Sequence, residues 1–230
     1  MKRFYKEAAA VPCEGGHGIT LDGRTVRTPA RALLAVPNAA MADAIVAEWA
    51  AQGEDIDPAS MPMTGMANAA IDQIAPDTAA FAATISVYGE SDMLCYRADG
   101  PDTLVTRQSE QWQPLLDWAT QHYAVKFAVT QGILHTAQPP ETLARLNAAT
   151  AIHCPFTLAA LSKLVPISGS LVIGLATVEQ AFPITQLWQA AELDELWQAE
   201  QWGDDDEALA RRAKRHEEFT LAAEFAGLTR

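Results

Sequence analysis

The period of the hydrophobic positions changes near residue 37, and that change divides the chain. Phe4 to Val11 reads as a strand, Gly15-Gly16-His17-Gly18 as a flexible turn, and Ile19-Thr20-Leu21 as a second strand running into Asp22-Gly23. An Asp-Gly pair between alternating segments is a strong hairpin signal, because both residues of the tight turn must adopt positive φ. Arg24 to Thr28 returns until Pro29, and Leu33 to Val36 is a further strand before Pro37; Thr20, Arg24 and Arg27 are polar positions on these strands. A sheet this small needs cover from another element.

Beyond Pro37 the period becomes helical. Asn38 is an N-cap candidate for a helix carrying Met41, Ile45 and Trp49 at i, i+4 and i+8. A loop, GEDIDPASMP, separates it from a second helix with Met63, Ala67, Ile71 and Ile74 on one side, ending before Pro76. Asp77 caps a third, with Phe81, Ile85 and Tyr88, and Ser91 to Arg97 reads as an extended buried segment. Pro101 opens a long helix through Trp112 and Trp118, with a kink or break expected near Trp112 because Pro114 lies inside the pattern. Val125 to Thr130 alternates as a strand would, and Pro139 to Thr150 is helical. Thr157–Val165 and Ser168–Gln180 are two helices separated by Pro166, the second rich in small residues that permit close helix approach. The fold class is therefore α+β, with a small N-terminal antiparallel β domain over residues 1–37 and a larger, mainly α-helical domain over 38–230.

The most unusual stretch is Glu192 to Glu207, which places eight carboxylates and two tryptophans in sixteen positions without a Lys, Arg or His. It begins inside an apolar helical pattern opened by Pro183, in which Ile184, Leu187, Trp188, Ala191, Leu193, Leu196 and Trp197 occupy most faces. In that pattern Asp194 and Glu195 fall where carboxylates are expensive. Gly203 stops the helix, and Asp204 to Glu207 put negative charge at the start of a last helix that is basic at Arg211, Arg212, Lys214 and Arg215. Two readings follow. The acids point to solvent and cap the next helix, or the stretch is a partner-binding surface with tryptophan anchors and carboxylates that meet basic groups of another protein.

Composition narrows the class. A length of 230 residues with 49% hydrophobic and 20% charged positions describes a globular chain able to bury a real core. The net charge of −13 argues against a nucleic-acid backbone or an anionic membrane as the main partner. Cys13, Cys95 and Cys154 are odd in number and far apart, which argues against a disulfide framework or a zinc site. The N-terminus has no uninterrupted apolar segment, and the longest apolar run, Leu164 to Val178, is broken by Pro166, Ser168, Gly169 and Ser170. A cytoplasmic, soluble protein is expected.

Candidate chemistry is sparse. The glycine-rich 15–18 turn lacks the ending of a phosphate-binding loop, and Ser168-Gly169-Ser170 is not a nucleophile elbow. The five histidines show no ligand spacing, and the Cys154–His153 neighbours imply nothing about a catalytic pair. Asp194 and Glu195 point about 100° apart on a helix and do not converge on one substrate atom. No catalytic residue, metal site or cofactor is expected.

Several motifs, in order along nearly the whole chain, resemble one family: RFYK at the N-terminus, LDGRTVRTP, AEWAAQGEDIDPASMPMT with the following ANAAID, YGESDMLCYRADGP, QWQPLLDWA, SGSLVIGLA and LDELWQAEQWGDDDEA. They are similar to the assembly chaperones that handle the α subunit of the F-type ATP synthase catalytic sector. The resemblance implies a non-enzymatic, monomeric protein that binds the free α subunit and shields its β-subunit-facing surface until assembly. It also implies a bacterial, cytoplasmic form. Gly65 departs from the pattern, where a longer and often basic residue is expected. Within the last motif Glu195 is the acid expected to matter most, with Glu192, Asp194, Trp197, Trp202 and Asp204 around it. The Asp55–Met61 loop and the Asp92–Arg97 segment are weaker candidates, since Asp92 and Arg97 could equally form an internal ion pair. A small-molecule enzyme with an unrecognised site and an unrelated protein-binding scaffold are the rival classes.

Overall fold

The computed structural model describes all of residues 1–230. In chain order the strands and helices are β1 Ala8–Cys13, β2 Gly16–Leu21, β3 Arg24–Thr25, β4 Ala35–Val36, α1 Ala39–Ala50, α2 Pro62–Ala69, α3 Thr78–Ser86 and β5 Tyr96–Arg97. They continue with α4 Asp102–Tyr123, β6 Thr130–Gln131, α5 Pro140–Ala151, α6 Pro155–Ser168, α7 Leu171–Val178, α8 Ile184–Ala191, α9 Leu193–Trp202 and α10 Asp206–Gly227. A small N-terminal antiparallel sheet followed by a mainly helical remainder is the expected α+β class. No helix is long and apolar enough to cross a membrane.

Two compact units are present. The first comprises Met1–Thr78 together with Cys154–Ala160 and Glu224–Arg230. Its centre is β2, which pairs antiparallel with β1 along one edge and with β3 and β4 along the other. Asp22 and Gly23 take φ of 48° and 76°, as the tight hairpin requires. Gly16 is obligatory for two reasons. Its φ is 137°, and a Cβ there would run into the Val36 carbonyl oxygen, where β4 pairs alongside β2. Helix α1 covers the sheet through Met41 and Ile45, which with Ile19, Leu34 and Val36 are fully withdrawn from water. Asn38 caps it, its side-chain oxygen accepting from the Met41 N–H at 2.9 Å. The N-terminus of α2 is held from outside, where the Glu48 carboxylate accepts from the N–H groups of Met63 (2.6 Å) and Thr64 (2.8 Å). Tyr5, Ile56 and Met61 pack with Leu21, so the Asp55–Met61 loop faces inward through two of its residues. The composition shift near residue 37 thus marks the end of the sheet, while the compact unit continues to Thr78.

The second unit comprises Ala79–His153 and Leu161–Ala223. Helix α7 is buried along its whole length and packs against α4 and α8. A Cβ on Gly174 would lie 2.4 Å from Val165 Cγ2 of α6, so the glycine sets how closely these two helices approach. Asp92, fully buried, satisfies the free N-terminus of α7 by accepting from the Val172 N–H at 3.0 Å, and it also accepts from the Leu94 N–H at 3.1 Å. Burial pushes its carboxyl up to about 6 against the pull of those hydrogen bonds. Arg97 does not pair with Asp92. It donates to the Gln108 carbonyl at 2.7 Å and lies over the Trp112 ring at 5.2 Å.

Helix α4 continues through Pro114 without a break: the proline is exposed, while Trp112, Leu115, Leu116 and Ala119 bury the opposite face. Three expectations are corrected. Val125–Val129 is not a strand, since side chains capture its backbone: Gln138 bonds both the N–H and the C=O of Ala128 at 2.9 Å, and Thr142 does the same for Lys126. Only Thr130–Gln131 pairs, in parallel with Tyr96–Arg97. Helix α6 continues past Pro166 to Ser168, and Gly169, at φ 66°, makes the break. The helix opened by Pro183 is two helices, divided at Glu192.

Candidate partner-binding site

The corner formed by α8, α9 and α10 contains every acidic and aromatic candidate of the 192–204 stretch. Helix α8 turns its apolar side inward: Leu187 and Ala190 are buried, and Trp188 packs on Phe219 at 5.5 Å. The Trp112 indole N–H donates to the Ala190 carbonyl at 2.8 Å, which anchors the end of this helix. Glu192, with φ −100° and ψ 8°, then leaves helical geometry for one residue, and α9 starts with Leu193 buried. Gly203 (φ 82°) ends α9, its N–H donating to the Ala199 carbonyl at 2.8 Å. Asp205 caps α10 by accepting from the Ala208 N–H at 2.7 Å.

The six candidates do not share one environment. Trp202 is 76% exposed and meets the half-buried Trp197 edge to face at 5.8 Å. Asp194 is exposed and accepts from the Gln108 amide at 2.8 Å. Glu195 is also exposed and lies 3.2 Å from Arg215 Nη1. Asp204 is gripped by both terminal nitrogens of Arg212 at 2.9 Å, which holds its carboxyl below the usual range.

Glu192 behaves oppositely. Its side chain is fully buried, with Arg215 Nη2 2.8 Å from one carboxylate oxygen and Arg212 Nε 3.8 Å from the other. Neither approach has hydrogen-bond geometry, so the contact is one of charge. Burial raises the Glu192 carboxyl, Arg215 and then Arg212 pull it down, and Glu195 adds to the rise. The expensive carboxylate is therefore Glu192, while Asp194 and Glu195 face solvent. The basic groups that meet Glu192, Glu195 and Asp204 come from α10 of the same chain.

Arg212, Arg215 and Arg107 are the residues that reading the acidic stretch alone missed. Arg107, on α4, donates to both Glu200 oxygens at 2.8 Å. A signal for the first two was present. Acidic and basic helical segments joined by a single Gly203 stop must fold back on each other, and Arg212 and Arg215 stand three positions apart on one helical face. Four acids, Asp194, Asp205, Asp206 and Glu207, have no ion-pair partner in their own chain. Gly65 is exposed, with open space where a side chain would project.

Comparison with known proteins matches a family profile over about half of the chain and solved structures over nearly all of it. The family profile described as ATP12 chaperone protein matches residues 2–120. The crystal structure of Atp12 from Paracoccus denitrificans is 41% identical with a TM-score of 0.94, over 100% of this chain and 98% of that one. A lysine-for-aspartate mutant of the same Atp12p is 40% identical with a TM-score of 0.94, over 100% and 98%. The Agrobacterium tumefaciens protein Atu1473 is 42% identical with a TM-score of 0.93, over 98% of this chain and 85% of that one. With the profile covering more than half of the chain and 41% identity spanning all of it, the protein belongs to the ATP12 chaperone family.

Proposed function

We propose that this chaperone acts in assembly of the F-type ATP synthase, as a monomer in the bacterial cytoplasm. In this reading it binds the free α subunit and shields the surface that later meets the β subunit, with the α9–α10 corner taking part in the contact. A subunit interface exposed before assembly is a large apolar patch and an aggregation hazard, so its chaperone must offer apolar surface while remaining displaceable. The observation that carries the reading is Trp202, a large exposed aromatic beside Trp197, in a stretch whose Asp194, Asp205, Asp206 and Glu207 form no ion pair within the chain. An aromatic anchor within unbalanced negative charge suits a partner surface that is apolar and flanked by Lys or Arg.

The test is co-expression with the α subunit in the absence of β, followed by pull-down and a solubility assay. Soluble α is expected to co-purify with the wild-type chain and to leave it when β is supplied. Glu195→Lys is expected to fold, since the Glu195–Arg215 pair is exposed and contributes no more than about 1 kcal/mol, yet to lose capture through reversed charge. Trp202→Ala is expected to weaken capture by roughly thirtyfold or more, the effect of removing an aromatic hot spot. Normal capture by both variants would place the contact elsewhere on the chain. Insoluble α beside the wild-type chain would end the partner assignment itself.

A further inference from the structure

The Glu192 carboxylate is buried where α8 breaks into α9, and two arginines of one α10 face converge on it. A buried carboxylate costs several kcal/mol unless cations accompany it, so its presence at a helix break calls for a reason other than packing. Both arginines reach beyond it. Arg212 grips Asp204 in the loop after α9 with two hydrogen bonds of 2.9 Å. Arg215 contacts Glu195 in the first turn of α9 at 3.2 Å and donates to the Ile167 carbonyl of α6 at 2.9 Å. The charges alternate in one connected series, Glu195–Arg215–Glu192–Arg212–Asp204, whose outer acids flank the helix that carries Trp197 and Trp202.

We infer that Glu192 is a positioning residue for the docking corner: its carboxylate fixes Arg212 and Arg215, and through them the placement of Asp204 and Glu195 at the two ends of α9. The functional half of this inference rests on the docking reading above, whereas the structural half does not. The role needs a full negative charge. A glutamine of the same shape would leave two guanidiniums facing one neutral group, and each would relax toward its outer acid or toward water. Once the arginines no longer share an inner partner, α9 is tied to the rest of the unit by Leu193, by the Gln108–Asp194 hydrogen bond and by its exposed pairs, with no buried charge holding its two ends.

Amide hydrogen exchange on Glu192→Gln, Glu192→Asp, Arg215→Gln and Trp202→Ala, with α-subunit capture measured in parallel, separates the possibilities. In Glu192→Gln the amides of 193–205 are expected to exchange at least tenfold faster than in the wild type, with α7 protection unchanged and capture reduced. Glu192→Asp keeps the charge at a shorter reach and should exchange more slowly than Glu192→Gln, which a purely packing role would reverse. Wild-type protection of 193–205 in Glu192→Gln would overturn the inference. If that variant fails to fold, Arg215→Gln decides, because Glu192 then keeps Arg212. Faster exchange confined to 193–205 supports the positioning role, and wild-type exchange there overturns it. Wild-type capture by Trp202→Ala together with Glu195→Lys would end the docking reading and leave the exchange result standing.

Discussion

Gly174→Ala adds one methyl group where α6 and α7 cross, and its effect can be worked from two opposed terms. In a helix interior the exchange favours alanine by about 1 kcal/mol through the backbone entropy that glycine loses. Against it stands the contact with Val165 Cγ2 at 2.4 Å, roughly 1.3 Å closer than an ordinary carbon–carbon contact. The second neighbour, Leu161 Cδ2 at 3.3 Å, is the tip of a flexible side chain and can yield. Val165 cannot. It is β-branched, sits in a helix where one χ1 well dominates, and is fully buried, so the helices must separate instead. Overpacking of this kind costs about 1–3 kcal/mol, and the upper half applies because α7 is buried on every side and has nowhere to move. The net expectation is a loss of about 1–2 kcal/mol, or a fall of several degrees in Tm for a chain of this size.

Urea unfolding followed by circular dichroism measures this directly, as a lower midpoint at constant m. The partner variant, Val165→Ala, leaves a cavity and destabilises alone. Combined with Gly174→Ala, the new methyl occupies the vacated space, so the double variant should be more stable than the sum of the two losses by about 1 kcal/mol or more. A Gly174→Ala protein as stable as the wild type would refute the reasoning that close approach requires glycine. Strict additivity in the double variant would show that the clash lies elsewhere.

Two further predictions concern buried and capping carboxylates. Asp92, raised to about 6 in the fold, titrates near 4 when unfolded, so between those values the native state holds a proton that the unfolded chain has released. Its contribution therefore falls as pH rises through that window and is level above it. The stability difference between wild type and Asp92→Asn should shrink by about 2 kcal/mol from pH 4 to pH 7; a difference independent of pH would contradict the raised value. Glu48→Ala removes the carboxylate that accepts the first N–H groups of α2 and is expected to cost about 1–2 kcal/mol in urea unfolding. Glu48→Gln, which retains one acceptor, should lose less.

Legibility in the sequence followed the range of the forces involved. Asp22-Gly23, Asn38, Gly203 and the small residues of α7 act within a few residues or through their own size, and each has the role its chemistry suggests. The failures share another character. Nothing within Val125–Thr130 reveals that Gln138 and Thr142 take its backbone groups, and nothing beside Pro114 reveals that the residues around it are anchored on the opposite face. In both places a tertiary partner overrides a local preference, and the partner lies on another element.

The acidic stretch shows how one such override propagates. Assigning faces to Asp194 and Glu195 assumes a single helix from Pro183 to Trp202, with each residue advancing by about 100°. The break at Glu192 resets that phase. Leu193 then occupies the inward position, Asp194 and Glu195 rotate outward, and the residue at the break carries the buried charge. The cause of the reset is the pair of arginines twenty and twenty-three positions later, which make a buried carboxylate tolerable at that point. Within 192–207 alone, the most deeply engaged of the eight acids is indistinguishable from its neighbours. It becomes identifiable when the following helix is folded back through Gly203 and its arginines are matched to the acids they can reach.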